Sequence, residues 1–233
     1  VNHPWTELPR LRLACLDMAG TTVSDGGLVE RAASVALVAQ GIEPGTSGHA
    51  AGLTVVRRTM GMSKIVVFRE IFDGDEAAAQ RANAAFERAY ADLVGAGEVS
   101  ALPGAAEAIA ALREAGVAVV LTTGFAKPTQ DAIIDALGWR DLVDLALVPG
   151  DGLRGRPYPD LVLHAALRLG VDDVRAIAVA GDSVNDIGCG VRAGAGVVAG
   201  VLGGAHSRAD LAAAGATHLL AAVAELPALL GQP

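Results

Sequence analysis

The stretch Leu13-Ala14-Cys15-Leu16-Asp17-Met18-Ala19-Gly20-Thr21-Thr22 decides the fold. Four apolar residues run into an aspartate, and a Gly/Thr turn follows at once. A short apolar run closed by turn residues predicts a strand covered on both faces, as in a parallel sheet. An aspartate at the C-terminal end of such a strand stands on the edge where open α/β sheets bind ligands. A carboxylate there serves as metal ligand, nucleophile or both, and we read Asp17 as both. Ala19, two residues on, is the most informative absence, because it has no side-chain proton to give.

Outward from this strand, taken as residues 10–17, the pattern becomes helical from Leu28 to Gly41. A turn-rich piece at 43–48 is followed by helices at about 49–59, 63–72 and 75–94, with Ser63 and Asp75 at two of the starts. No strand is expected between 24 and 100. Four helices are too many for one crossover, so they read as an inserted unit. After Leu102-Pro103-Gly104 the rhythm alternates. Helices at 104–115, 128–137, 159–169, 185–193 and 207–214 interleave with strands at 117–121, 143–148, 176–180, 196–201 and 217–220. The expected fold is α/β: a Rossmann-like parallel-sheet core, residues 1–23 and 101–233, with an inserted all-helical cap subdomain, residues 24–100.

Composition bounds the function. The chain has 233 residues, enough for a sizeable core. Its 52% hydrophobic content and mean hydropathy of +0.42 owe much to alanine and glycine. No apolar run reaches the ~18 residues of a membrane span, and residues 1–10 show no apolar leader segment. Cys15 and Cys189 are read as reduced thiols, which points to the cytoplasm. A net charge of −8 argues against nucleic acid as a partner. It leaves room for a small anionic substrate met by a local cluster of cations. Self-association as a homodimer is left open.

In a parallel sheet the strand C-termini share one edge. Four loops should therefore meet: Asp17-Met18-Ala19-Gly20-Thr21; Thr122-Thr123-Gly124; Gly155-Arg156-Pro157-Tyr158-Pro159, which precedes a helix; and Gly181-Asp182-Ser183-Val184-Asn185-Asp186. They supply carboxylates, hydroxyls, one cation and glycine turns, the equipment for holding Mg²⁺ against a phosphoryl group. Each residue alone has a plainer reading. Asp182 and Asp186 serve equally as a helix cap and a solvated helix face, and Arg156 as a surface residue. The ordered set of four is what carries weight.

The chain resembles the haloacid dehalogenase superfamily over essentially its whole length. Asp17-x-x-Gly-Thr is similar to the first motif, Thr122 to the second, Arg156 to the third (more often lysine) and Gly181-Asp182-x-x-x-Asp186 to the fourth. The resemblance implies attack by Asp17 to form an aspartyl-phosphate, then hydrolysis by water. It implies Mg²⁺ held by Asp17, the Ala19 carbonyl and Asp182, with Thr122 and Arg156 stabilising the transferring oxygens. Asp186 would orient Arg156 or a metal-bound water.

Most phosphatases of this superfamily carry a second aspartate where this chain has Ala19. The phosphonoacetaldehyde hydrolases, or phosphonatases, also have alanine there. They cleave a carbon–phosphorus bond by way of an imine on a cap lysine. Met60-Gly61-Met62-Ser63-Lys64 resembles their Met-Gly-x-x-Lys segment, and Lys64 and Lys127 are the only lysines. Lys64 would sit in a first helical turn, where the dipole lowers an amine's pKa; Arg57 and Arg58 could add to this, although two arginines on a helix are more often a solvated face. Met60, Thr123 and Gly124 are the expected substrate-binding residues. Val67, Met18 and Gly27 depart from the phosphonatase histidine, tryptophan and cysteine. Three readings stand: carbon–phosphorus hydrolysis of a small phosphonate; phosphomonoester hydrolysis with Lys64 as an anion clamp; or phosphate binding with weak turnover. His206 is read as shaping its loop, and His49, His164 and His218 as structural or surface residues.

Overall fold

The structure is a computed structural model, and it describes residues 9–24 and 26–231. Residues 1–8, where the leader-segment reading largely falls, lie outside the described residues.

β1 is Leu13–Asp17, buried at every position. β2 (Ala118–Thr122), β3 (Leu145–Leu147), β4 (Ile177–Gly181), β5 (Val197–Val201) and β6 (His218–Leu220) complete a six-stranded sheet. The order is β3-β2-β1-β4-β5-β6 and every pairing is parallel. The chain builds outward from β1 to one side, then crosses back to build the other. β1 therefore lies at the switch point, where neighbouring connections leave on opposite faces and open a crevice beyond the strand ends. Asp17 pairs in register with Thr122, and Leu16 with Ala180. Register alone brings the ends of β1, β2 and β4 together.

Four helices fill the interval between β1 and the rest of the sheet: α1 (Leu28–Val38), α2 (Ser47–Arg58), α3 (Lys64–Ile71) and α4 (Glu76–Gly95). No strand lies there among the described residues. α1 packs on α4, and α3 packs on α4. Alanines dominate the buried face of α4, with Phe86 and Tyr90 as its large residues. Small side chains let the helices approach closely, while the two rings fill the remaining volume.

α5 (Ala105–Glu114), α6 (Lys127–Leu137), α7 (Asp160–Leu169), α8 (Val184–Ala193) and α9 (Arg208–Ala213) cover the sheet. Three apolar clusters result, a large one on one face and two smaller ones on the other. Leu16 and Leu121 point into the large one, Cys15 and Val120 into a smaller one, as alternation along a strand requires.

Boundaries moved by one to three residues from expectation, for local reasons. α2 starts at Ser47 rather than 49, because the Thr46 hydroxyl accepts from the His49 amide at 3.2 Å. Ser63 precedes α3 as expected but makes no side-chain cap. β3 shrinks to three half-buried residues, in keeping with its place at the sheet edge. The sequence reading missed the 3-10 segments Val174–Ala176 and Val223–Gly231. Pro227 excludes regular α-helix in the second. No helix among the described residues is long and apolar enough to cross a membrane.

Candidate active site

Asp17, Asp182 and Asp186 converge beyond the ends of β1 and β4. Each offers a carboxylate oxygen, and these oxygens all lie within 4.8 Å of one another. All three residues are buried. Asp17 arrives as the last residue of β1 and Asp182 as the first after β4. Asp186 is the third residue of α8, whose N-cap is Ser183. The Ser183 hydroxyl and amide both donate to Asp186 Oδ2, at 2.5 and 3.1 Å, and the Asp186 amide donates to Ser183 Oγ in return. The cap-and-solvated-face reading of Asp182 and Asp186 is therefore corrected: Ser183 is the cap, and Asp186 faces the interior.

Arg156 is the cation of this cluster. Its Nη1 lies 2.5 Å from Asp17 Oδ1 and 2.8 Å from Asp186 Oδ1, and its Nη2 donates to Thr122 Oγ1 at 2.6 Å. One planar fork thus joins the ends of β1 and β2 to α8. The surface reading of Arg156 does not hold, for its side chain is 3% exposed.

The cluster sets three carboxylates against a single guanidinium, and the ionisation of Asp17 and Asp182 reflects it. Burial pushes the Asp17 carboxyl up to about 7, with Arg156 opposing and Asp186 adding. Burial, then the charges of Asp17 and Asp186, push Asp182 up to about 8. A hard divalent cation suits such a set of oxygen donors, since it supplies the positive charge that the protein leaves out. The surrounding turn is shaped to the carboxylates. A β-carbon on Gly20, at φ +87°, would fall 2.4 Å from Asp182 Oδ2. The Ala205 amide donates to that same oxygen at 2.6 Å, and the His206 amide donates to the Asp182 carbonyl at 3.2 Å. His206 thus shapes the loop through its backbone, and Ser207 caps α9.

A cavity of about 770 Å³ opens over this cluster. Asp17, Ala19 and Asp182 line one end, and Met60, Lys64, Thr123 and Gly124 line it as well. The 60–64 segment is seated directly on the core loops. The Asn185 side-chain amide donates to the Met60 carbonyl at 2.7 Å, and the Lys64 amide donates to the Gly124 carbonyl at 3.2 Å. Gly124 must be glycine for this contact, because a β-carbon there would lie 2.2 Å from the Met62 carbonyl oxygen. Thr123 turns inward and accepts from the Phe125 amide at 3.2 Å.

Lys64 is 7% exposed. Its Nζ lies 5.5 Å from the centre of the Phe125 ring and 5.9 Å from that of Phe86. Of the two readings of Arg57 and Arg58, the structure has the solvated face, their side chains being 56% and 60% exposed. Arg57 is engaged by Glu30 at 2.8 and 2.6 Å, and Arg58 by Glu70. Two aromatic rings lie within 6 Å of the amine. Of the other histidines, His49 is buried against the Ser34 hydroxyl at 2.8 Å. Asn185 was not singled out from the sequence, though it carried a signal in its place within the fourth loop.

A model of the haloacid dehalogenase-like hydrolases matches residues 11–194. The chain is 26% identical over 267 residues to a phosphonoacetaldehyde hydrolase of Bacteroides fragilis, covering 96% of this chain and 97% of that one. Among solved structures, a phosphonoacetaldehyde hydrolase-like protein from Oleispira antarctica superposes with a TM-score of 0.78 at 24% identity, over 96% of this chain and 92% of that one. A putative phosphoglycolate phosphatase from Lactobacillus delbrueckii subsp. bulgaricus superposes with a TM-score of 0.79 at 20% identity, over 96% of this chain and the whole of that one. These structural likenesses speak for the fold.

Proposed function

From the premise that the chain belongs to the haloacid dehalogenase-like hydrolases, we propose that it is a Mg²⁺-dependent phosphonatase-like hydrolase of a small phosphonate, phosphonoacetaldehyde or a close relative. The observation that carries this reading is that a buried lysine and an aspartate line one cavity whose acid position is an alanine: Lys64, Asp17 and Ala19.

Asp17 is the nucleophile. Its carboxylate attacks phosphorus in line to give an aspartyl-phosphate, and water then releases phosphate. Asp17, Asp182 and the Ala19 carbonyl would hold Mg²⁺, which when bound supplies the charge neutralisation that lets a carboxylate approach an anion. Arg156 and Thr122, already joined at 2.6 Å, receive the transferring oxygens. Asp186 holds Arg156 in that orientation. Met60, Thr123 and Gly124 bound the space for the carbon fragment.

A carbon leaving group needs somewhere to put an electron pair. Lys64 condenses with the substrate aldehyde to an iminium ion, with loss of water. As the carbon–phosphorus bond breaks, its electrons move into the iminium and the fragment departs as an enamine. No acid at position 19 is required. The four-helix unit, residues 24–100, acts as a cap whose closure seats Lys64 and excludes water. The partner is a small molecule rather than nucleic acid or a membrane, and the buried free thiols of Cys15 and Cys189 fit a reducing cytoplasm.

Incubation with phosphonoacetaldehyde and borohydride tests this. A stable mass adduct on Lys64, with phosphate released in its absence, is expected. Phosphate release from phosphomonoesters without an adduct would favour the second reading, with Lys64 as an anion clamp; the likeness to a putative phosphoglycolate phosphatase keeps that reading in view. Retained phosphate binding with neither reaction would favour a weakly active binding protein.

A further inference from the structure

The cavity over the carboxylate cluster outruns a two-carbon phosphonate. At about 770 Å³ it belongs with the sites that take drug-sized ligands. The room does not come from a lifted cap, for the 60–64 segment is already seated on Asn185 and Gly124. It comes from length along the sheet edge. Asp17 ends β1, Val201 ends β5 and Ala221 follows β6, and all of them line the cavity. In the order β1-β4-β5-β6 these ends are spread over successive strand spacings that sum to about 14 Å. Phosphonoacetaldehyde reaches only about 4 Å from phosphorus to carbonyl oxygen by ordinary bond lengths.

Beyond the reacting groups the lining is of two kinds. Leu102, Val201, Leu202 and Val223 are apolar, and Val201 and Val223 are buried. The other kind is an ion pair. Glu30, in the first turn of α1, and Arg57, in the last turn of α2, both line the cavity. Glu30 accepts from Arg57 Nε at 2.8 Å and from Nη2 at 2.6 Å. Their side chains are 33% and 56% exposed, which places the pair at the mouth. Among the described residues nothing accepts from Arg57 Nη1, whose N–H groups are left for a ligand. Each Glu30 oxygen accepts one bond from Arg57 and keeps a lone pair. The pair thus presents donors and acceptors side by side, on a guanidinium whose orientation is fixed in advance. A hydroxyl, which both donates and accepts, is its complement. A second anion is not, because Glu30 would repel it.

We propose that the substrate is a longer carbonyl-bearing phosphonate, whose carbon skeleton runs on over Val201, Leu202 and Val223 and carries a hydroxyl bound by Arg57 Nη1 and the Glu30 carboxylate. This rests on the phosphonatase-like reading of the site. Asp17, Asp182 and Arg156 are all buried around the phosphorus end, so the substrate extends on its carbon side. The chemistry at Asp17 and Lys64 is unchanged by the added length. What length supplies is binding energy remote from the reacting bonds. Each methylene fully buried there is worth about fourfold in affinity.

Unreactive phosphonates test this by calorimetry on the Mg²⁺-loaded, unsubstituted protein. Ethylphosphonate, hexylphosphonate and ω-hydroxyhexylphosphonate share the phosphonate group and lack a carbonyl, so none forms an adduct. Hexylphosphonate should bind at least about tenfold more tightly than ethylphosphonate, since part of the added chain is buried. The terminal hydroxyl should add about threefold more, and a carboxylate in its place should bind more weakly than the hydroxyl. Equal affinities along the series, or a carboxylate end that binds best, would overturn the proposal, and these measurements need no variant to fold. An exposed pair adds little to stability, so Arg57→Met should fold. In it the ratio of affinities for the hydroxylated and plain six-carbon chains should fall to about one; an undiminished ratio would also overturn the proposal. Phosphate release from phosphomonoesters and not from phosphonoacetaldehyde would remove the reading on which the proposal rests. Phosphonoacetaldehyde cleavage with equal affinities along the series would remove the proposal alone, so the two failures are distinguishable.

Discussion

Arg156 Nη1 lies 2.5 Å from Asp17 Oδ1, and the two side chains are 3% and 6% exposed. A carboxylate so placed is aimed and partly neutralised before any substrate arrives. Replacing Asp17 with asparagine keeps the shape and removes the nucleophile. Asp17→Asn should lose at least about 10³-fold in turnover, as expected when a group that acts only in the chemical step is deleted. Phosphate release by the purified variant checks this; substantial residual activity would refute the nucleophile assignment.

Arg156 touches Asp17, Asp186 and Thr122 with two nitrogens of one plane. Lysine offers a point charge and cannot span all three. Arg156→Lys should fold yet lose about 10²-fold in kcat, the usual cost of one misplaced donor to a developing charge. Arg156→Met should do worse, costing about 3–5 kcal/mol of stability by leaving two buried carboxylates without their cation. Urea unfolding beside steady-state kinetics separates the two effects.

How far the sequence foretold this arrangement depends on the kind of contact. The sheet, the helical insert and the four loops were legible because each rests on local pattern: an apolar run, a turn, a cap. Parallel pairing then fixes which loops meet, so Asp17, Thr122 and Asp182 could be grouped without coordinates. The rings near Lys64, and the contact of Glu87 with the start of α6, were not legible. Phe86 and Glu87 lie on a helix whose periodicity shows only that one face is buried, and nothing local says that it abuts α6. The arginines show the converse. Arg57 and Arg58 are near Lys64 in sequence, but helix geometry turns them toward Glu30 and Glu70.

Without metal, stability should fall as pH rises from about 5.5 to 8. The Asp17 and Asp182 carboxyls are raised to about 7 and about 8 when folded, against the 3.8 of an ordinary aspartate. In that window the folded state binds more protons than the unfolded one, so each step up in pH favours unfolding. Surface carboxylates held low by arginines, such as Glu76 and Asp173, titrate below it. Mg²⁺ should restore the loss at pH 8 and do little at pH 5.5, where it must displace protons. Thermal melts at both pH values, with and without Mg²⁺, read this. A metal-free melting temperature that climbs across the window in the wild type, unchanged in Asp17→Asn, would contradict it.

Lys64→Arg separates the two hydrolytic readings. Arginine keeps the positive charge but stays protonated and forms no imine under these conditions. If Lys64 condenses with substrate, phosphonate cleavage should fall by about 10³-fold or more, because the carbon fragment then leaves without an electron sink. If Lys64 clamps an anion, phosphomonoester turnover should survive within about tenfold, with the change mainly in KM. Parallel assays on phosphonoacetaldehyde and a panel of small phosphomonoesters decide it.

Gly124 offers the last test, one aimed at closure rather than chemistry. Its α-carbon lies beneath the Met62 carbonyl, where a methyl group would come within 2.2 Å of the oxygen. Backbone rather than a flexible side chain stands in the way, so relief requires the 60–64 segment to lift. Lifting would also stretch the Lys64 amide contact to the Gly124 carbonyl, 3.2 Å, and the Asn185 contact to the Met60 carbonyl, 2.7 Å. Gly124→Ala should therefore lower kcat about 10–100-fold while leaving Asp17, Arg156 and the metal site intact, since small displacements of a reacting group are costly. Asn185→Ala, which removes one of those contacts and adds no bulk, should show a milder loss of the same kind. Mg²⁺ affinity of both variants, read from the stabilisation it gives in thermal melts, should match the unsubstituted protein. A drop in metal affinity equal to the drop in rate would mean that the substitution had disturbed the carboxylate cluster, and that the seated 60–64 segment is not what turnover depends on.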